Sequence, residues 1–236
     1  NTSFAHNVQG VHYYMNLTNT NLTIQVLDGI MCHNGELVSE VYEPVKKTKE
    51  EFLKEFNEAF IDAKKSLKYH PMTLEGCVVR ISDVIGYICR EIEDAIILGK
   101  IKREDIPKEI TDILGSTNRE IMNTIILDII NNSSDKPYIK MSEEVYKALF
   151  MLKDFNYNHI YKYSLTKDEY DRYSKGMKDI YHRYLLDIEN DNVDSLIYKD
   201  FLAHQSPNYL TNTSSKQKVI DFIAGMTDDY FVEQIS

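Results

Sequence analysis

Apolar positions recur every three or four residues along most of this chain, the period of an amphipathic helix rather than the alternation of a strand. The pattern is clearest over residues 74–96, where Leu74, Val78, Ile81, Ile85, Ile88, Ile92 and Ala95 fall on one stripe and predict a packing face. Pro71 and Thr73 start this helix and Gly99 stops it, so it is predicted over 74–98. The same reasoning predicts helices over 4–14, 22–32, 49–68, 118–131, 142–160, 166–188, 193–204 and 215–232, with Asn16 to Asn21 as a polar loop. Asp105 and Pro107 mark a turn, and the strand signal is weak throughout. The polar run from Asn131 to Pro137 is the best boundary, dividing a core over 1–131 from a C-terminal helical region over 132–236.

Composition sharpens the class. With 236 residues and 43% hydrophobic content the chain has enough apolar side chain for a core. Nine Gly and five Pro are too few for a turn-dense β fold, and the expected class is all-α. Cys32, Cys77 and Cys89 are sparse and lack CxxC spacing, which points to reduced thiols and a cytoplasmic protein. The apolar stretches are interrupted by charge well short of a membrane span, and no signal pattern opens the sequence. A net charge of −10 argues against a broad nucleic-acid-binding surface. An anionic ligand would have to be held locally, and a divalent metal bridging carboxylates to phosphates is the usual means. No Gly-rich phosphate loop, GxSxG or HExxH occurs.

Asp83, Tyr87, Glu91 and Asp94 follow one another at helical spacing, which aligns carboxylates and a phenol along a second face of the 74–98 helix. Two readings of that face stand open: a solvated acidic surface balanced by Arg80 and Arg90, or a pocket wall in which Asp83 is a hard-metal ligand and Tyr87 a hydrogen-bond donor to substrate. His33 in CHNGE could face the substrate or support a residue that does, but reads first as a cation suited to a helix C-terminus, and His12 reads as packing. Tyr157, Tyr161, Tyr163, Tyr170, Tyr173, Tyr181 and Tyr184 could stack on bases, but their helical spacing reads first as amphipathic packing or an oligomer interface.

The stretch LEGCVVRISDVIGYICREIEDAI, residues 74–96, resembles a helix of the HD-domain deoxyguanosinetriphosphate triphosphohydrolase-like proteins, in which an Asp followed four residues later by Tyr supplies the last metal ligand. SFAHNVQGV at 3–11 and LTIQVLDGIMCHNGE at 22–36 resemble the segments just after that family's His-Asp pair. LKDFNYNHIY at 152–161 and VIDFIAGMTDDY at 219–230 resemble its C-terminal helices. The resemblance implies an HD-domain phosphohydrolase-like helical fold, with residues 1–131 as a partial HD-domain core. Asp83 is then the metal ligand, Tyr87 a substrate contact and His6 the catalytic acid or polarising group; Asn7, Gln9 and Glu91 are further substrate contacts. The implied cofactor is a divalent metal (Mg, Mn or Fe), the implied substrate a deoxynucleoside triphosphate, and the implied assembly a homo-oligomer.

One element of the family pattern is missing. None of the seven histidines is followed by Asp; their successors are Asn7, Tyr13, Asn34, Pro71, Ile160, Arg183 and Gln205. The expectation is an N-terminally incomplete fold whose remaining metal ligands precede residue 1, with metal weak or absent in this chain. The expected activity, hydrolysis of a dGTP-like nucleotide to deoxynucleoside and triphosphate, would then be lacking in the chain alone. The alternative is a non-catalytic helical module that binds nucleotide or oligomerises.

Overall fold

The computed structural model of the chain describes residues 3–34, 39–161 and 166–236; Gly35, Glu36 and Tyr163 lie outside the described residues. Helices dominate in the order α1 His6–Asn16, α2 Ile24–Cys32, α3 Lys49–Ile61, α4 Leu74–Ile97, α5 Lys108–Leu114, α6 Asn118–Ser133, α7 Glu143–His159, α8 Lys167–Glu189, α9 Pro207–Asn212, α10 Ser215–Ala224 and α11 Asp228–Gln234. The only strands among the described residues are β1 Val41–Tyr42 and β2 Ile139–Lys140, paired antiparallel with Val41 opposite Lys140. No helix among the described residues is long and apolar enough to cross a membrane.

Caps explain most of the boundaries. Thr73 accepts a hydrogen bond from Gly76 N to open α4, and Thr48, Thr117 and Thr166 each close a capping box with the Glu three residues on. Gly99, at φ 67°, ends α4 in the left-handed region that glycine enters without strain.

Three predicted helices break. Over 49–68, Asp62 leaves helical geometry, accepts from Lys64 N and starts a 3-10 turn, Ala63–Lys68, in place of a continuous α-helix. Over 193–204 the backbone runs as a π-helix, Ile197–Phe201, and a 3-10 turn, Leu202–His204. Over 215–232, Thr227 caps a new helix by accepting from Tyr230 N, so α10 and α11 are separate. The short α5 and α9 lie where the pattern predicts no helix, and each is too short to carry a periodic signal.

Two compact units result, Asn1–Val11 with Asn21–Ser164, and His12–Thr20 with Leu165–Ser236. The hydrophobic pattern suggests a break after residue 131, whereas the compact units part at Ser164. The reason is α7, whose Val145, Ala148, Leu149, Leu152 and Phe155 enter the same core as α4. In the first unit that core surrounds Ile81, Val84, Ile85, Ile88, Cys89 and Ile92. A smaller cluster joins Val8 and Val11 of α1 to Met31 and Cys32 of α2 and Phe52 and Phe56 of α3. In the second unit Ile180, Tyr184, Ile197, Leu202, Tyr209, Val219 and Phe222 form the core.

Two details of α4 differ from the sequence reading. Val78 is 45% exposed while Cys77 is fully buried, so the buried stripe begins on the neighbouring residue. Arg80 does not balance the acidic face: it is buried and donates through Nη1 to the Tyr69 carbonyl at 2.7 Å.

Candidate functional site

The site is built on the flank of α4 beside its core stripe, with Tyr87 packed against the core. An α-helix rises 1.5 Å per residue, so Asp83, Tyr87 and Glu91 stand in a row about 12 Å long. Asp83 is exposed and Tyr87 and Glu91 are half-buried, an ordering that runs from open solvent into a recess.

At the Glu91 end a cavity of about 390 Å³ is lined by Tyr87, Ile88, Glu91, Lys153, Asn156, Tyr157 and Tyr161. α7 supplies Lys153, Asn156 and Tyr157, and Ser142 holds its first turn by accepting from Val145 N. Tyr161 Oη donates to Glu91 Oε1, and Asn156 Nδ2 donates to Glu91 Oε2 at 3.4 Å and to the Ile88 carbonyl at 3.0 Å. Burial raises the Glu91 carboxyl above its ordinary range, against the lowering effect of these two donors. Burial and the adjoining Glu91 carboxylate together raise the Tyr161 phenol. Asn156 is fully buried, and its Oδ1 has no hydrogen-bond partner among the described residues. That oxygen is closed off from solvent, so the polar contact Asn156 offers at the cavity is its amide nitrogen on Glu91.

At the Asp83 end α1 delivers His6, whose Nε2 lies 3.0 Å from Nε2 of His33 at the end of α2. His33 Nδ1 lies 2.6 Å from the Ile30 carbonyl. Burial lowers the affinity of His6 for a proton; the second ring, His33, lowers it further, and Asp83 acts in the opposite sense.

The other predicted contacts are placed differently. Asn7 is fully buried, with Nδ2 donating to the Met31 carbonyl at 2.5 Å and Oδ1 accepting from Asn34 at 3.5 Å, so its side chain ties α1 to α2. Gln9 is half-buried on α1. Tyr157 and Tyr161, read from sequence as packing or interface residues, line the Glu91 cavity, while Tyr184 is buried in the core of the second unit. His33, read as a helix-end cation, is the hydrogen-bond partner of His6. Only tertiary structure brings residues 6 and 33 together; their spacing carries no signal.

The residues present do not by themselves fit a metal ion. Among the described residues no group of three or more His, Cys, Asp or Glu side chains is placed to hold one, and Asp83 is a single hard ligand.

A model of the phosphohydrolase-associated domain matches residues 139–236, from β2 to the end of the chain. Among curated proteins, the deoxyguanosinetriphosphate triphosphohydrolase-like protein of Caldanaerobacter subterraneus subsp. tengcongensis is 35% identical over 161 residues, 68% of this chain and 44% of the relative. Those of Clostridium tetani and Clostridium perfringens (strain SM101 / Type A) are 29% and 28% identical over 96% and 99% of this chain, and 57% and 59% of their own lengths. This chain thus spans about half the length of the curated relatives it matches. With its all-helical fold of the HD-domain phosphohydrolase type, the chain belongs to the deoxyguanosinetriphosphate triphosphohydrolase-like family.

Proposed function

We propose that this chain forms part of a phosphohydrolase that splits a deoxynucleoside triphosphate, dGTP-like, into deoxynucleoside and inorganic triphosphate. The observation that carries the reading is the row on α4, with a proton-handling pair at the Asp83 end and a largely apolar, aromatic-walled cavity with a carboxylate at Glu91. A nucleotide is a molecule of that polarity: an anionic chain at one end, a flat base and a sugar hydroxyl at the other.

In this reading the Glu91 cavity holds the nucleoside. Tyr87, Tyr157 and Tyr161 offer ring faces, and Glu91 accepts from a sugar hydroxyl. Displacing the Tyr161 hydroxyl from Glu91 is the cost of admitting that hydroxyl. At the other end His6 handles the proton of the scissile step. A triphosphate beside His6 adds negative charge, favours its protonated form and sets it to donate toward the departing oxygen. A divalent ion, when bound, would polarise the phosphate, and Asp83 would give it one carboxylate oxygen. The residues described here bind the nucleoside, orient it and move the proton.

The test uses the longest natural form of the protein, incubated with dGTP and Mn²⁺ and analysed by ion-exchange chromatography. Inorganic triphosphate is the expected product, with Asp83→Asn losing bound metal and turnover, and His6→Ala losing turnover far more than metal. Pyrophosphate as the product would overturn the reaction assigned. Tight dGTP binding without any hydrolysis would identify the alternative, a nucleotide-binding module. The 236-residue chain alone is expected to give no product.

A further inference from the structure

We infer that His33 is the positioning residue for His6, selecting the tautomer and ring orientation in which His6 meets the substrate. The inference rests on the reading of His6 as the proton-handling group, and the argument for it is one of donors and acceptors. A carbonyl oxygen only accepts, so the 2.6 Å contact between His33 Nδ1 and the Ile30 carbonyl requires a proton on Nδ1. In neutral His33 the other nitrogen, Nε2, is then a bare lone pair. The 3.0 Å contact between the two Nε2 atoms also needs one proton, and neutral His6 must supply it from its own Nε2. His6 is thereby held as the Nε2–H tautomer, with Nδ1 left as its basic nitrogen.

The chain of hydrogen bonds is anchored where the backbone is fixed. Ile30 belongs to α2, and His33 follows that helix directly as its C-cap residue in helical conformation. The neighbouring contact from Asn7 Nδ2 to the Met31 carbonyl sets α1 against the same turn, so the approach of the His6 ring to His33 is fixed from both helices. The rings tilt at 59° with centroids 5.0 Å apart, a hydrogen-bonding geometry and not a stack. Around the pair, the charged group that acts on His6 is Asp83 of α4. A proton on His33 Nε2 would put two N–H groups face to face and break the contact, so the further proton that the pair can take goes to His6 Nδ1. This arrangement lets His6 take up a proton at Nδ1 while its own Nε2–H goes on donating to His33 Nε2, with no ring rotation.

The first experiment needs no activity. Long-range ¹H–¹⁵N correlation of the histidine rings in the 236-residue chain should show His6 as the Nε2–H tautomer and His33 as the Nδ1–H tautomer. In His33→Ala the His6 tautomer should become mixed. In His33→Gln, whose amide oxygen still accepts from Nε2–H, it should be retained, and circular dichroism reports that both variants fold. A His6 ring of mixed or Nδ1–H tautomer in the wild-type chain overturns the inference.

The second experiment is kinetic, on the longest natural form with dGTP. His33→Ala should lower kcat by about 10- to 100-fold, part of the roughly 100- to 10,000-fold that a positioned acid–base group contributes. KM should stay within about twofold, and His33→Gln should recover much of the loss. Equal rates for wild type and His33→Ala overturn the inference. An inactive wild-type protein whose tautomers are as stated removes the proposed reaction and leaves the pairing of the two rings standing.

Discussion

The firmest test of the fold that carries the site is Asp28→Asn. Asp28, on α2, is fully buried and receives Lys47 Nζ at 2.8 Å on one oxygen and the Met72 backbone N–H at 2.6 Å on the other. It therefore locks α2 to the segment before α3 and to the turn that opens α4. Both side chains are dry, 5% exposed for Lys47 and 1% for Asp28. Breaking a buried ion pair from one side costs about 3–5 kcal/mol, because the remaining charge stays desolvated without its partner. Lys47 keeps a second carboxylate, Glu55 at 2.7 Å and 26% exposed, which places the cost near the lower end, about 3 kcal/mol. For a unit of this size that lowers Tm by roughly 6–12 °C. The assay is thermal unfolding followed by circular dichroism at pH 7, with Lys47→Met and the double variant completing a cycle. Each single change should be costly and the double variant should cost less than the sum, since removing both charges leaves neither uncompensated. A loss below about 1 kcal/mol for Asp28→Asn, the size of an exposed pair, would refute the reasoning.

Three further outcomes follow from the same geometry. Gly76→Ala places a Cβ 2.7 Å from Pro71 Cβ, a contact that only movement of the α4 start relieves, and urea unfolding should show a loss of about 1–3 kcal/mol. Cys32, Cys77 and Cys89 are all fully buried, and burial pushes their thiols up to about 12, 11 and 12 respectively; a thiol reagent at pH 8 should leave the folded chain unmodified and titrate three thiols in denaturant. Because Glu91 is raised in the folded state, its contribution to stability is present below its unfolded value of 4.5 and is lost as pH rises through that value to the folded one. Unfolding midpoints of Glu91→Gln relative to wild type should therefore improve with rising pH across that window and level off above it, and a difference independent of pH would show that Glu91 titrates normally.

Much of this was legible in the residues because helical periodicity and caps act locally. The α4 stripe, its Thr73 start and its Gly99 stop needed no tertiary information, and the structure departs from them by one residue at the C-terminal end. The errors fall where tertiary contacts override local preference. Val78 fits the period but faces outward, and Arg80, polar by type, is drawn inside by a carbonyl partner eleven residues away in sequence. The site divides in the same way. Asp83, Tyr87 and Glu91 lie on one helix, so spacing alone aligns them. His33, Asn156 and Tyr161 reach the row from other segments, and no sequence separation announces a contact between residues 6 and 33 or between 91 and 161.

The double duty of α4 gives the strongest constraint on how this site can vary. One face buries Ile81, Ile85, Ile88 and Ile92 in the core of the first unit, and each side chain of that kind contributes about 1.5–3 kcal/mol by leaving water. The flank beside it carries the polar row, in which Asp83 is exposed and Glu91 is held partly desolvated against its preference. Substitutions on the first face should therefore lower stability and carry activity down with it. Substitutions of Asp83 should leave stability nearly unchanged, since an exposed carboxylate with no salt-bridge partner within 4.0 Å among the described residues has little to lose. A rigid core stripe and a polar row on one helix also fix the distance between the two ends of the site. In the function proposed above, a nucleotide held at Glu91 would therefore present its phosphates to His6 and Asp83 without any rearrangement of the helix that bears them.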